Sequence, residues 1–254
     1  MTPQLTLQLY TLRDALSENF EATFETIREI GFKNVEPAGL SGRSPKEYAK
    51  YLNALGLKAP SAHSPLPIGD DRNKVIDTAL EIGCRYLITG CPPAWQENFT
   101  SIDGIKRTAE LYTEAAENAT KHGLFVGYHN HDWDLLEVEG QSAYRVFLEN
   151  TPETVLWETD VFWVARAGLD PVAFIQEIGA RGRLLHLKDG HLKNREITPP
   201  FLPAGAGEVD LITAAKSSQF AEYSAVELDA YDGDMLDAVR KSYQFLTEQG
   251  LAQC

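Results

Sequence analysis

The 254-residue sequence has little cysteine, little basic charge and no long apolar run. Its three cysteines, Cys84, Cys91 and Cys254, include no C-x-x-C pair. That excludes a disulfide-built scaffold and a thiolate zinc knuckle, and it predicts reduced thiols in a cytoplasm-like compartment. The longest apolar runs, such as that around Leu184 and Leu185, fall far short of the ~20 residues a bilayer span requires, so no membrane association is expected. No basic start followed by an apolar stretch and a small-residue cleavage site is visible, so a cytoplasmic location is expected. Lys and Arg number 23 against 37 Asp and Glu, for a net charge of −14. Such a surface repels phosphate backbones, and no dense Lys/Arg run offsets it, which argues against a nucleic-acid partner. Hydrophobic residues make up 43% and charged residues 24%, which excludes disordered, collagen-like and coiled-coil classes. A chain of this length buries roughly three quarters of its unfolded surface and needs no staple to fold.

What is present is regular punctuation. Helical stretches end in Gly, and an apolar run follows: Ile30-Gly31 before Val35, Leu55-Gly56 before Ala59, Ile82-Gly83 before Tyr86, His122-Gly123 before Leu124, Ile178-Gly179 before Leu184. Glycine just past a helix supplies the left-handed conformation that stops it. The short apolar runs suit fully buried parallel strands. Strands are predicted at 5–11, 33–38, 58–64, 86–90, 124–130, 154–160, 183–189 and 223–229. Helices are predicted at 18–30, 44–55, 70–82, 101–122, 141–150, 170–178, 208–218 and 234–249. Ser44-Pro45 with Glu47, Asp170-Pro171 and Asp234 are N-cap signals. Eight strands alternating with eight helices, without a composition break, predict an α/β fold, one (β/α)8 TIM barrel over residues 1–254. A doubly wound open sheet is the rival, but Tyr10-Thr11-Leu12-Arg13 is no glycine-rich phosphate fingerprint.

In such a barrel the reactive groups sit at the carboxyl ends of the strands. Those ends carry Gln8, Glu36, His63, Thr89-Gly90-Cys91, His129-Asn130-His131, Glu158-Thr159-Asp160, His186-Leu187-Lys188-Asp189 and Glu227-Leu228-Asp229. Period-two alternation puts Glu158 with Asp160, His186 with Lys188, and His129 with His131 on shared faces. A lone strand-end carboxylate usually caps a helix or pairs with Lys. Four of the six histidines converging with several carboxylates is costly to bury without a metal or substrate. Imidazole and carboxylate ligands suit Mn, Co, Fe or Zn better than Mg.

With these strand ends in place, the chain resembles the sugar isomerases/epimerases of the xylose-isomerase-like barrel superfamily, which also holds apurinic endonucleases, inosose dehydratases and dehydroshikimate dehydratases. The resemblance is carried by Leu7-Gln8-Leu9-Tyr10-Thr11-Leu12-Arg13, Val35-Glu36, Ala62-His63-Ser64, Gly127-Tyr128-His129-Asn130-His131, the run from Asp160 to Pro171, His186-Leu187-Lys188-Asp189, Gly205 to Asp210, and Val226-Glu227-Leu228-Asp229. It implies one divalent metal ion, held at the positions of His129, Asp160, His186 and Glu227. The fifth-strand position, Glu in epimerases, is His129 here, which unsettles a mechanism using two metal-bound glutamates. The resemblance further implies a small-molecule sugar substrate. Glu227 is the leading base, with Glu158 the second and Lys188 a donor or proton shuttle. Glu36, His63, His131, Asp134, Trp95 and Lys188 are candidate substrate contacts, as polar or aromatic groups at or after strand ends. A salt bridge from Lys188 to Asp189 or Glu158 and rim packing of Trp163 are the plainer readings of those residues.

The leading functional expectation is a divalent-metal-dependent isomerase or epimerase working through an enediolate on a keto or aldo sugar or derivative. The rival is a dehydratase or β-eliminating lyase acting on a keto-inositol, a dehydroshikimate-like compound or a 3-keto-glycoside. An apurinic endonuclease would need more His and Glu ligands and a DNA-binding face. A non-catalytic sugar-binding barrel predicts binding without turnover. Cys91, followed by Pro92-Pro93, lacks a triad-like pattern. Residues 190–207 read as a structureless loop over the substrate. A homodimer is a modest expectation from the resemblance alone.

Overall fold

The computed structural model describes residues 2–251 and 253; Cys254 lies outside the described residues. Eight parallel strands run in chain order: β1 Gln4–Gln8, β2 Asn34–Glu36, β3 Ser61–His63, β4 Tyr86–Thr89, β5 Phe125–His129, β6 Val155–Asp160, β7 Gly182–His186 and β8 Tyr223–Val226. Each except β2 pairs with the next in sequence, and β8 returns to β1 through Gln4–Tyr223 to Leu7–Val226. The β2–β3 seam has no continuous ladder. It is closed by two isolated bridges, Asn34 with Lys58 and Ala38 with His63. The result is a (β/α)8 barrel, as the alternation of elements predicts.

The outer layer holds the helices α1 Phe20–Ile30, α2 Pro45–Leu55, α3 Arg72–Ile82, α4 Ile102–Thr120, α5 Ala143–Glu149, α6 Pro171–Ile178, α7 Leu211–Ser217 and α8 Met235–Glu248. Their starts are built from the residues that signal them. Ser44 and Glu47 form a full capping box on α2, Asp170 accepts from the Val172 N–H, and Asp234 accepts from the Asp237 N–H. Strand alternation then divides the interior. Leu5, Leu7, Val35, Leu87, Val126, Trp157, Leu185 and Val226 face the helices in the large outer core. Tyr86, Ile88, Leu156 and Leu184 form a small separate core inside the barrel. Gly127 on the inner face of β5 leaves room for this plug, since a Cβ there would lie 2.6 Å from Ile88 Cδ1. Above it, the inner positions become polar.

Among the segments that depart from the sequence prediction, three bear on the site. The tail of strand one becomes a 3-10 turn, Leu9–Leu12, whose Tyr10 N–H donates to the Gln8 side-chain oxygen. Asp160 ends β6 by capping a short helix, Val161–Arg166, with its Oδ1 accepting from the Phe162 and Trp163 N–H groups. The 190–207 segment is not structureless: Asp189–Gly190 pairs antiparallel with Phe201–Leu202. Asp189 anchors it, its carboxylate accepting from the backbone N–H of Gly190, Gly205, Gly207 and Val209. No helix among the described residues is long and apolar enough to cross a membrane.

Candidate metal centre

The inner positions at the carboxyl ends of β2, β3, β5, β6, β7 and β8 bring Glu36, His63, His129, Glu158, Asp160, His186 and Glu227 together. Glu36, Glu158, Asp160 and His186 are fully buried, and Glu227 nearly so. Imidazoles and Lys188 offset much of this buried negative charge, yet Glu36 Oε2, Glu158 Oε1 and Asp160 Oδ2 remain buried without a hydrogen-bond partner.

Two overlapping quartets could each hold an ion: His63, His129, Glu158 and His186, or His129, Asp160, His186 and Glu227, with ligand atoms within 4.8 Å of one another. Hydrogen bonding separates them. Glu158 Oε2 sits among three imidazole nitrogens, His63 Nε2 at 2.8 Å, His129 Nδ1 at 2.9 Å and His186 Nε2 at 3.0 Å. Those contacts make Glu158 an acceptor that orients rings. The second quartet takes the other nitrogen of each ring: with Nδ1 on Glu158, His129 turns Nε2 toward Asp160 Oδ2 at 4.0 Å. His186 sets Nε2 against Glu36 Oε1 at 2.9 Å and Nδ1 against Glu227 Oε2 at 2.8 Å. Carboxylates behind metal-binding imidazoles fix the tautomer and raise ligand basicity. Asp160 Oδ2 is buried and accepts no well-aligned hydrogen bond, although Lys188 Nζ lies 3.1 Å away. A mixed N/O set with an underused buried carboxylate oxygen fits a divalent ion.

Lys188 supplies the local positive charge. Its ammonium lies 2.9 Å from Glu227 Oε2 and 3.0 Å from Asp229 Oδ1, with the Trp163 and Phe201 rings each 5.4 Å away. The salt-bridge partners are therefore Asp160, Glu227 and Asp229, not Asp189 or Glu158. Burial opposes the charge of Glu227, but Lys188 and His186 outweigh it and hold this carboxyl well below the ordinary range. Burial likewise opposes the charge on His186, and Glu158 and Glu227 outweigh it, so its pKa is raised well above the usual value. Burial pushes Asp229 up to about 6 against the opposing charge of Lys188.

A cavity of about 920 Å³ opens above the cluster, and its wall includes Tyr10, His63, His129, His131, Lys188, Glu227 and Asp229. Other candidates lie off this wall. Glu36 is sealed beneath it, accepting from Gln8 Nε2 at 2.6 Å as well as from His186. Asp134 accepts from Tyr128 Oη and the His131 N–H, both at 2.8 Å, and so fixes the loop after β5. Trp95 stacks on Trp133 with ring centroids 4.3 Å apart. His131 rests on Trp133, with its buried Nδ1 unpartnered, and burial lowers its pKa well below the usual value. Asp229 is a charged wall residue to which sequence reasoning assigned no role; its signal is that it shares the strand face of Glu227. Burial and nearby Asp134 push the Cys91 thiol up, away from a thiolate nucleophile.

No family model and no curated protein matches the sequence. Solved structures do match its fold. A sugar phosphate isomerase/epimerase from Parabacteroides distasonis superposes with a TM-score of 0.80 at 22% identity, covering 100% of this chain and 96% of the other. The IOLI protein with a bound zinc atom gives 0.75 at 15% identity over 97% of both chains. The probable 3-DHS dehydratase AsbF from Bacillus anthracis gives 0.70 at 14% identity, covering 96% of this chain and 98% of that one. Structural neighbours are thus sugar isomerase/epimerase and xylose-isomerase-like barrels, and the chain shares their (β/α)8 architecture from end to end.

Proposed function

We infer that the chain is a divalent-metal-dependent isomerase or epimerase that moves a proton beside the carbonyl of a keto or aldo sugar or derivative. The observation that carries this reading is the quartet His129, Asp160, His186 and Glu227 beneath an open mouth, with both imidazoles backed by buried carboxylates. When bound, the ion supplies Lewis-acid polarisation of the substrate carbonyl.

The chain's own residues handle the proton. Glu227, ionised and on the cavity wall, takes it from the carbon next to the carbonyl, leaving an enediolate. Lys188, on the same wall, sets its positive charge beside the oxygen where negative charge grows. Neutral His131, on the same wall, hydrogen-bonds a substrate hydroxyl. Glu158 orients the three imidazoles from beneath. Half-buried Trp163 and buried Phe201 and Ile88 keep bulk water from the Lys188 side and floor.

A second reading, elimination by a dehydratase or lyase, is favoured by His63. Burial opposes its charge, but Glu36 and Glu158 raise its pKa, and it faces the same cavity as Glu227. An ionised carboxylate and an imidazole whose neighbours favour its protonated form are, on one wall, a base and an acid for expelling a leaving group. Incubating the manganese-loaded protein with keto sugars in D2O tests both. A mass-conserved isomer carrying deuterium supports the first reading, and an unsaturated or cleaved product the second. Absence of metal binding and of metal-dependent exchange overturns both.

A further inference from the structure

Beside the mouth lies a second cavity of about 430 Å³, outside the barrel wall and against α3. Its apolar lining comes from Leu40, Ala62, Val75, Ala79, Ile82 and Leu87. Two local causes keep it open. Ala62 on β3 and Ala79 on α3 offer only methyl groups where larger side chains would fill the sheet–helix layer. The neighbouring β2–β3 seam has two bridges in place of a ladder. The two cavities share His63, Ser64, Pro65 and Asp71, so a short ridge separates the polar cluster from an aliphatic chamber.

The mouth itself is poorly suited to a phosphate. Lys188 is the one Lys or Arg among the described residues that line it. Its ammonium already lies within 3.1 Å of carboxylate oxygens from Asp160, Glu227 and Asp229. Asp71 and Asp229 add acidic groups to the wall. A phosphate dianion entering there meets carboxylates and no uncommitted Lys or Arg, which is unfavourable in a partly desolvated site. The adjoining chamber, by contrast, gains free energy by taking apolar surface out of water.

We propose that the substrate is an unphosphorylated sugar carrying an apolar substituent, with its sugar ring in the mouth and the substituent beyond the His63–Pro65 ridge in the aliphatic chamber. The proposal rests on the sugar-enzyme reading above and adds what the sugar carries. Chamber and cluster are neighbours across shared residues, so one ligand can fill both without rearrangement of the barrel.

The test is binding of three probes to the manganese-loaded full chain by titration calorimetry: methyl β-glucoside, phenyl β-glucoside and glucose 6-phosphate. The phenyl glycoside should bind roughly tenfold or more tightly than the methyl glycoside, and the sugar phosphate most weakly. Val75→Trp, which fills the chamber from a half-buried position, should abolish the phenyl advantage while leaving methyl glycoside binding unchanged. Val75→Asp, which makes the chamber polar without filling it, should also abolish the advantage and guards against a folding defect in the Trp variant. Equal binding of the two glycosides, binding of neither, tighter binding of the phosphate, or a phenyl advantage surviving both variants overturns the proposal. Failure of the isomerase reading appears elsewhere, as absent metal-dependent deuterium exchange, which none of these probes reports.

Discussion

Glu36 reaches across the barrel interior from β2 to hold His186 of β7, with its Oε1 2.9 Å from Nε2. The contact holds Nε2 away from the quartet and turns Nδ1 toward Glu227, so that Nδ1 is the ligand atom once its proton is lost. Gln8 secures Glu36 in turn. Replacing Glu36 with Leu should therefore weaken manganese binding by roughly 10- to 100-fold. Competition against a fluorescent chelator measures the change, and an unaltered affinity would show that Glu36 has no part in setting the ring.

The same geometry makes metal binding a proton-releasing event. Although burial opposes it, the charges of Glu158 and Glu227 raise the pKa of His186 well above its usual value, so the metal-free ring is protonated at neutral pH. Ligation requires the neutral ring. The sign follows: below the raised pKa each ion must expel a proton, and affinity climbs with pH until that pKa is passed. An increase of about tenfold per pH unit is expected for one proton released. Chelator competition at pH 6, 7 and 8 measures it, and a flat profile would rule out His186 as a proton-bearing ligand.

Much of this arrangement is legible in the sequence because barrel strands obey a two-residue period. Glu158 and Asp160 share the inner face, while Trp157 and Thr159 turn outward and are buried against the helix layer or beneath it. Capping residues such as Ser44 and Asp170 state their local structure directly. What pairs with what across the barrel is a different matter. That Glu158 serves three imidazoles, and that Lys188 chooses Asp160, Glu227 and Asp229, depends on side-chain reach between strands that are distant in sequence. The hairpin of Asp189–Gly190 with Phe201–Leu202 was equally hidden, since its strands are two residues each and too short to show a period.

Lys188 is 1% exposed and is the ammonium shared by three carboxylates. Lys188→Met keeps the stem but removes the charge, leaving Asp160 and Glu227 buried without their cation. Breaking a buried pair in this way costs about 3–5 kcal/mol. The metal-free variant should melt well below the wild type, and manganese should recover more of the loss than it adds to the wild type, because the ion replaces the missing charge. Thermal melts with manganese and with EDTA check both parts. Equal metal-induced shifts in variant and wild type would contradict the shared-carboxylate account.

Asp189 gives the last test, one that separates loop anchoring from chemistry. Its carboxylate accepts four backbone N–H groups, two from the glycines of Gly205-Ala206-Gly207, and a Cβ at Gly207 would lie 2.2 Å from Asp189 Oδ1. This close approach explains the glycine better than a phosphate site does, since the place an anion would take is filled by the chain's own carboxylate. Asp189→Ala strands those donors, and each buried unsatisfied group costs about 1–3 kcal/mol. Hydrogen exchange should accelerate at Gly205, Gly207 and Val209 by an order of magnitude or more, while exchange in β5 and β6 stays unchanged. Phe201, held by the same hairpin, packs 5.4 Å from the Lys188 ammonium, so activity should fall with the loosening. Gly207→Ala should reproduce the exchange pattern by pushing the carboxylate out of its cradle. Protection that survives in both variants would mean that the hairpin is held by its strand pairing alone.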